Sequence, residues 1–306
     1  MGTFFTRIKN ATRSDGRDGI DVRALKALDA VATATELDAV TGPARALVKG
    51  LPLGGLRGVL HGRPLGHPLH PTLVQLPVGA WLSAAALDLT PRCERPARLL
   101  VALGVIAAAP AAMTGWIDWA EQHEQQMRTG LLHAACMAAA IGLYGGSWMA
   151  RSSGRHQLGR ALGFTGLAAT GAGAAIGGHL AYRQAAGANK AEPVPHLVEP
   201  RWYPLGRPEE FTTGAPARRM AGEVPVVVVR EPDGRIHVLA DRCSHSSGPL
   251  SQGEVDDGCI RCPWHGSVFR LADGWNVDGP ATAPQPRFTT RLDANGNLQA
   301  RLPDAG

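Results

Sequence analysis

The chain has 306 residues, enough for two domains of ordinary size. It carries a formal charge of +5, yet only 19% of its residues are charged and no Lys/Arg cluster alternates with aromatics, which excludes nucleic acid as the partner. Its five cysteines are odd in number and scattered, which excludes a disulfide framework.

Residues 1–60 read as a polar, partly helical N-terminal tail. An apolar stripe at Ile20, Leu25, Leu28, Val31 and Leu37 has rough helical spacing, which suits a helix on a membrane surface and equally a nascent helix. Met1 to Asn10 lacks the apolar run of a secretory signal. Residues 61–183 then contain four apolar segments: Thr72–Leu87, Leu99–Ile117, Thr129–Ala150 and Ala161–Tyr182. The last three hold 19, 22 and 22 uncharged residues, where a helix needs about 20 to cross the hydrocarbon. A soluble helix would show a charged stripe, and none is present. The segments therefore predict a bundle of four transmembrane helices, up-down-up-down because the connections are short. Gly163, Gly166, Gly173 and Gly177 in the fourth segment predict close backbone approach.

Residues 184–200 read as a linker stiffened by Pro193 and Pro195. From residue 201 to 306 the pattern is all-β. Val224–Arg230 and Ile236–Ala240 flank a Glu-Pro-Asp-Gly turn, and Phe288–Leu292 and Leu298–Leu302 flank Asp-Ala-Asn-Gly. The expected fold class is thus α + β and multidomain, a four-helix transmembrane bundle followed by an all-β domain.

The β region carries Cys243-Ser-His245 and, sixteen residues on, Cys262-Pro-Trp-His265-Gly266. Thiolates and imidazoles serve zinc or a 2Fe–2S cluster. Ligands two apart in C-x-H favour one from each pair on each iron of a dinuclear cluster, whereas zinc knuckles prefer C-x2–4-C pairs. Zinc remains the minor alternative. With the flanking CSHSSGPLSQG, GCIRCPWHGSVFRLADG and GPATAPQP, residues from about 200 to 303 resemble the Rieske family. The resemblance implies a 2Fe–2S cluster with Cys243 and Cys262 on the inner iron and His245 and His265 on the outer one. It also implies that Gly279–Pro286 caps the cluster.

Two histidines in place of two thiolates raise the potential of such a cluster to between about −150 and +300 mV. The cytochrome bc branch of the family adds a disulfide beside the cluster, at positions that here hold Gly248 and Trp264. That branch also hydrogen-bonds the sulfurs through a Ser, retained as Ser267, and a Tyr, replaced by Phe269. One retained donor predicts an intermediate or low potential. Cys259 reads as a small buried hydrophobe rather than a ligand. Ring-hydroxylating oxygenases of the family add a catalytic iron domain. The 40 residues after Gly266 contain no histidine, so a carrier is expected rather than a terminal oxygenase.

Residues 60–183 resemble an uncharacterised bacterial family of four-helix membrane domains that opens on H-P-L-H-P, here His67 to Pro71. His70, His133 and His179 fall toward one end of the expected bundle. Ionisable residues at membrane depth are costly and usually functional. A haem, a divalent metal or a quinone head group each fits them, and so does simple satisfaction of backbone groups. Positive residues flank the segments six to five between the two faces, Lys190 among the five, which leaves orientation open. The expectation is a protein of the bacterial inner membrane, in contact with lipid, its β domain cytoplasmic. It would pass single electrons to a redox partner protein such as a reductase or oxygenase. A membrane quinol or haem oxidoreductase and a redox sensor are the alternatives.

Overall fold

The computed structural model describes residues 20–303 together with Thr6, so the remainder of the expected tail before Ile20 lies outside the described residues. Two compact units are present. Among the described residues, a helical unit combines 20–52 with Leu69–Ala186, and a β unit combines Leu53–Pro68 with 187–303.

In the helical unit the expected tail supplies two helices, α1 (Ile20–Ala32) and α2 (Asp38–Lys49). They are held by charge. Arg128 clasps the Asp38 carboxylate at 2.7 Å through both Nε and Nη2 and donates to the Ala32 carbonyl at 3.1 Å. The Arg128 guanidinium also holds the Asp38 carboxyl below its ordinary range. Lys49 reaches Glu121 at 2.8 Å, and Val31 of α1 and Val48 of α2 are buried.

Among the described residues three helices are long and apolar enough to cross a membrane: α6 (Glu94–Trp119), α7 (Glu124–Ser152), and α8 (His156–Gly178) continued by a π-helical turn, His179–Arg183. The first expected segment is shorter and interrupted. It comprises α4 (His70–Leu73) and α5 (Gln75–Asp88). Pro77 has no N–H to offer the Leu73 carbonyl, which accounts for the break at Val74. A short helix, α3 (Leu56–Leu60), belongs to the β unit.

The glycines of α8 do what their spacing predicts. Gly166 lies against the Tyr144 ring and Gly173 against Met137, where an added Cβ would come within 3.0 and 2.6 Å. Trp81 of α5 stacks on Tyr144 with centroids 4.2 Å apart, and Gly104 of α6 leaves the space its indole fills. Asp88, at the end of α5, pairs with Arg151 of α7 through two hydrogen bonds of 2.7 and 2.6 Å. Their side chains are 3% and 1% exposed, so both charges depend on one another. Gly159 of α8 makes room for the Arg151 side chain.

The β unit has two antiparallel sheets. One runs β1 (Tyr203–Gly206), β10 (Leu298–Arg301), β9 (Arg287–Leu292), β4 (Ile236–Ala240), β3 (Val224–Arg230), β2 (Pro216–Ala221). The other runs β5 (Glu254–Asp256), β6 (Cys259–Arg261), β7 (Val268–Arg270), β8 (Asn276–Asp278). The sequence VPVVVVR of β3 shows no apolar–polar alternation because both faces are covered. Val226 and Val228 enter one core with Tyr203, Phe211 and Phe288, while Val227 and Val229 enter a second with Leu239, Ile260 and Phe269. Both expected hairpins form, with Gly234 and Gly296 at φ 87° and 77° in their turns.

Two segments outside the strands complete this unit. Val194 and Val198, from the segment read as a linker, are buried in the first core. The Lys190 amide donates to the Ser244 carbonyl at 2.8 Å. Arg63 donates to the Val277 carbonyl and reaches Asp278 at 3.2 Å, which ties 53–68 to the end of β8.

Candidate metal centre

The four ligand-type residues lie on two loops built to one plan. Cys243 follows β4, and Cys262 follows β6. In the first loop the Cys243 amide donates to the Gly248 carbonyl at 2.9 Å, and the Ser247 amide returns to the Cys243 carbonyl at 2.8 Å. In the second the Cys262 amide donates to the Ser267 carbonyl at 2.8 Å, and the Gly266 amide returns to the Cys262 carbonyl at 3.1 Å. Each loop closes on the fourth residue after its cysteine in the left-handed region, Ser247 at φ 63° and Gly266 at φ 72°. The frames match residue for residue, and only the histidine differs, two positions along in one loop and three in the other.

This plan sorts the ligands by depth. Cys243 and Cys262 are 1% and 3% exposed within the second core, whereas His245 and His265 are half-buried with ring centroids 5.0 Å apart. Backbone amides converge on the sulfurs, those of His245 and Ser246 on Cys243 and those of Trp264 and His265 on Cys262. The hydrogen bond from the Cys243 thiol draws Cys262 down to about 7 against burial, with the two amides assisting. That same bond, with burial, pushes Cys243 well above the ordinary thiol range. A pair of adjacent sulfurs that compete for one proton, ringed by N–H donors, suits thiolate ligation of metal. The donor set of two sulfurs inside and two imidazoles outside fits a 2Fe–2S cluster.

The cap is fastened by a residue that the motif did not reveal. Gln285 is 2% exposed, and its Nε2 donates to the carbonyls of Ala240 and Arg242 at 2.7 and 2.5 Å. Its Oε1 accepts from the Ser244 amide at 3.1 Å. Ser244 Oγ adds a bond to the Ala283 carbonyl at 2.8 Å, so the 281–286 segment is stitched to the first ligand loop. Asn276 donates to the Ala281 carbonyl at 2.9 Å, and the Ala281 amide donates to Ser267 Oγ at 3.2 Å. Gly279, at φ 84°, lies where a Cβ would come within 2.6 Å of Ser267 Cα.

Ser267 and Phe269 are fully buried. Because Ser267 Oγ accepts the Ala281 amide, its hydroxyl proton is free to point to a further acceptor. Gly248 faces both Cys262 and Trp264, with 2.7 Å between its notional Cβ and Cys262 Sγ. Cys259 sits in β6, paired with Arg270 of β7 and Asp256 of β5, and burial raises its thiol.

The structure brings two of the three membrane histidines together. His70 and His133 lie with ring centroids 6.2 Å apart and planes at 86°. His179 does not join them in a ligand cluster: among the described residues no group of three or more His, Cys, Asp or Glu able to hold a metal is found around His70 and His133. It starts the π-helical turn and is buried. His123 caps the N-terminus of α7, with Gln126 returning to its amide at 3.1 Å, and His67 belongs to the β unit.

With this geometry in place, comparison with known proteins gives a consistent result. Residues 201–289 match the family model of the Rieske [2Fe-2S] domain, and residues 66–190 match that of a predicted membrane protein, DUF2231. The chain is 38% identical over 101 residues to the anthranilate 1,2-dioxygenase ferredoxin subunit of Burkholderia cepacia, covering 33% of this chain and 92% of that one. It is 32% identical over 82 residues to the 3-phenylpropionate/cinnamic acid dioxygenase ferredoxin subunit of Escherichia coli, covering 26% and 76%. To the 3-chlorobenzoate-3,4-dioxygenase oxygenase subunit of Comamonas testosteroni it is 33% identical over 100 residues, but it spans only 23% of that chain. The chain therefore belongs to the Rieske [2Fe-2S] family through its C-terminal domain, joined to a DUF2231 membrane domain.

Proposed function

We propose that the protein is a membrane-anchored Rieske ferredoxin, which carries single electrons between a partner such as a reductase or oxygenase and another carrier. The observation that carries this reading is the paired loop frame, with sulfurs inside and imidazoles at the surface. The likeness to stand-alone ferredoxin subunits supports it further. In this reading Cys243 and Cys262 hold the inner iron and His245 and His265 the outer one. When bound, the cluster supplies a one-electron couple. The chain's own part is to keep water from the sulfurs, to stabilise their charge through backbone N–H groups and to present the imidazole edge.

Pro263, Trp264, Arg242 and Arg261 are exposed beside that edge, Trp264 to 50%, and form a mixed apolar and basic rim for a partner. Four membrane crossings are part of the proposal, the fourth made by α4 and α5 together. So is a cytoplasmic β unit at the inner membrane of a bacterium, where it can fold around its cofactor without crossing the bilayer.

The test is anaerobic. Full-length protein in detergent is mixed with an NADH-oxidising flavoprotein reductase of the Rieske dioxygenase class, and bleaching of the cluster's visible absorbance is followed. Uptake of one electron per chain, with transfer to a ferredoxin-dependent oxygenase, is the expected result. Bleaching by dithionite alone, with no response to any reductase or oxygenase, would overturn the carrier reading.

A further inference from the structure

His70 and His133 are oriented by the same device used twice. His70 Nδ1 lies 2.8 Å from the Ala111 carbonyl of α6, and His133 Nδ1 lies 2.8 Å from the Gly173 carbonyl of α8. A carbonyl can only accept, so both Nδ1 atoms carry the proton, and each Nε2 keeps its lone pair. A helical carbonyl is normally screened by the side chain four residues on. Here that residue is glycine in both cases: Gly115 follows Ala111, and Gly177 follows Gly173. A Cβ at Gly115 would come within 2.9 Å of the His70 ring, and one at Gly177 within 3.4 Å of His133. Two glycines thus open two carbonyls, and each carbonyl fixes the tautomer and the direction of one imidazole. Metal-binding histidines are held in this way, the second ring nitrogen donating to a backbone carbonyl. Bundle cores commonly place such ligands on facing helices.

The choice of ligand follows from what the site lacks. Among the described residues no third His, Cys, Asp or Glu completes a metal cluster. A bare divalent ion needs four to six donors and would be left undercoordinated. An iron porphyrin brings four in-plane nitrogens and asks the protein only for axial ligands. Ring centroids 6.2 Å apart match the separation that one iron bonded at about 2.0–2.1 Å to each imidazole would require. Both rings are half-buried rather than enclosed, which leaves an open side for a macrocycle. The chain has no C-x-x-C-H attachment motif, so the group would be held without covalent bonds.

We propose that His70 and His133 are the two axial ligands of a non-covalently bound haem in the membrane domain. The full chain, expressed with a haem precursor and purified in detergent, is examined by reduced-minus-oxidised absorbance and by EPR. The expected result is one haem per chain with a low-spin ferric signal. Both are lost in H70A and in H133A, whereas the helical circular dichroism and the monodisperse elution in detergent stay as in the parent chain and show that the helical unit still folds. H179A keeps the low-spin signal. Gly115→Val, which displaces His70 from its carbonyl, converts the haem to high spin. Haem-free protein from haem-replete cells overturns the assignment, as does a low-spin signal that survives H133A. Retention of a bare divalent metal or of a quinone in a His70-dependent manner, without haem, also overturns it.

Discussion

Gln285 joins the cap to the first ligand loop, and its replacement by Leu tests whether that seam guards the cluster. The substitution removes three hydrogen bonds, to Ala240, Arg242 and Ser244, from a side chain that is 2% exposed. Each is worth about 1 kcal/mol net, and a buried backbone group left without its partner costs about 1–3 kcal/mol. Water can reach the Arg242 carbonyl, because that residue is exposed, whereas Ala240 and Ser244 are buried, so about 3 kcal/mol is the least the sum amounts to. At 1.4 kcal/mol per decade this amounts to about a hundredfold more frequent opening of the cap. The assay is anaerobic bleaching of the cluster's visible absorbance in excess ferrous chelator, with exposed Asn295→Ala as baseline. A rate for Gln285→Leu within twofold of that baseline would refute the seam.

Three further expectations can be checked together. Ser267→Ala removes the one hydroxyl donor retained beside the cluster and lowers its midpoint potential by about 50 mV, the equivalent of one hydrogen bond; protein-film voltammetry showing no change would place the proton elsewhere. Asp88→Leu leaves the Arg151 guanidinium buried without its carboxylate, at a cost of about 3–5 kcal/mol in detergent stability, whereas the Asp88→Leu/Arg151→Met double variant recovers most of it. A double variant melting no higher than the single one would remove the pair as the cause. Acid sensitivity has a definite sign: neighbouring arginines and backbone amides hold Asp233, Asp273, Asp293 and Glu210 below their ordinary values of 3.8 and 4.5. Their stabilisation is complete above those values and is lost as the pH falls through the depressed ones, so Tm stays level from about pH 8 to 5 and drops below about 4. The drop is shallow because these groups are exposed; a Tm that rises on acidification from pH 5 to 3 contradicts it.

What could be read from the sequence was local. Cys243, His245, Cys262 and His265 were legible because each pair lies within one short loop, and the two hairpins because Gly234 and Gly296 sit in their turns. Gln285 was not, since its work is done on Ser244, 41 residues away, and nothing in a proline-rich stretch announces such a contact. The attachment of α2 through Arg128 and Asp38 spans 90 residues and was equally hidden. The interruption of the first apolar segment did leave a signal, Pro77, which a count of uncharged residues passes over. The membrane histidines were legible as a set at one end of the bundle. That His70 and His133 meet while His179 stays apart depends on helix rotation and on Gly115 and Gly177, which only tertiary packing assigns.

The Asp88–Arg151 pair also bears on how the chain is made. Asp88 emerges from the ribosome 63 residues before the cation that neutralises it. α5 offers only 14 residues, fewer than the about 20 that span the hydrocarbon, and it ends on this carboxylate. The first segment is therefore poorly suited to enter the bilayer as an independent unit. It is expected to wait at the interface until α7 supplies Arg151, so that biogenesis of this domain runs out of sequence order, the N-terminal segment settling after helices translated later.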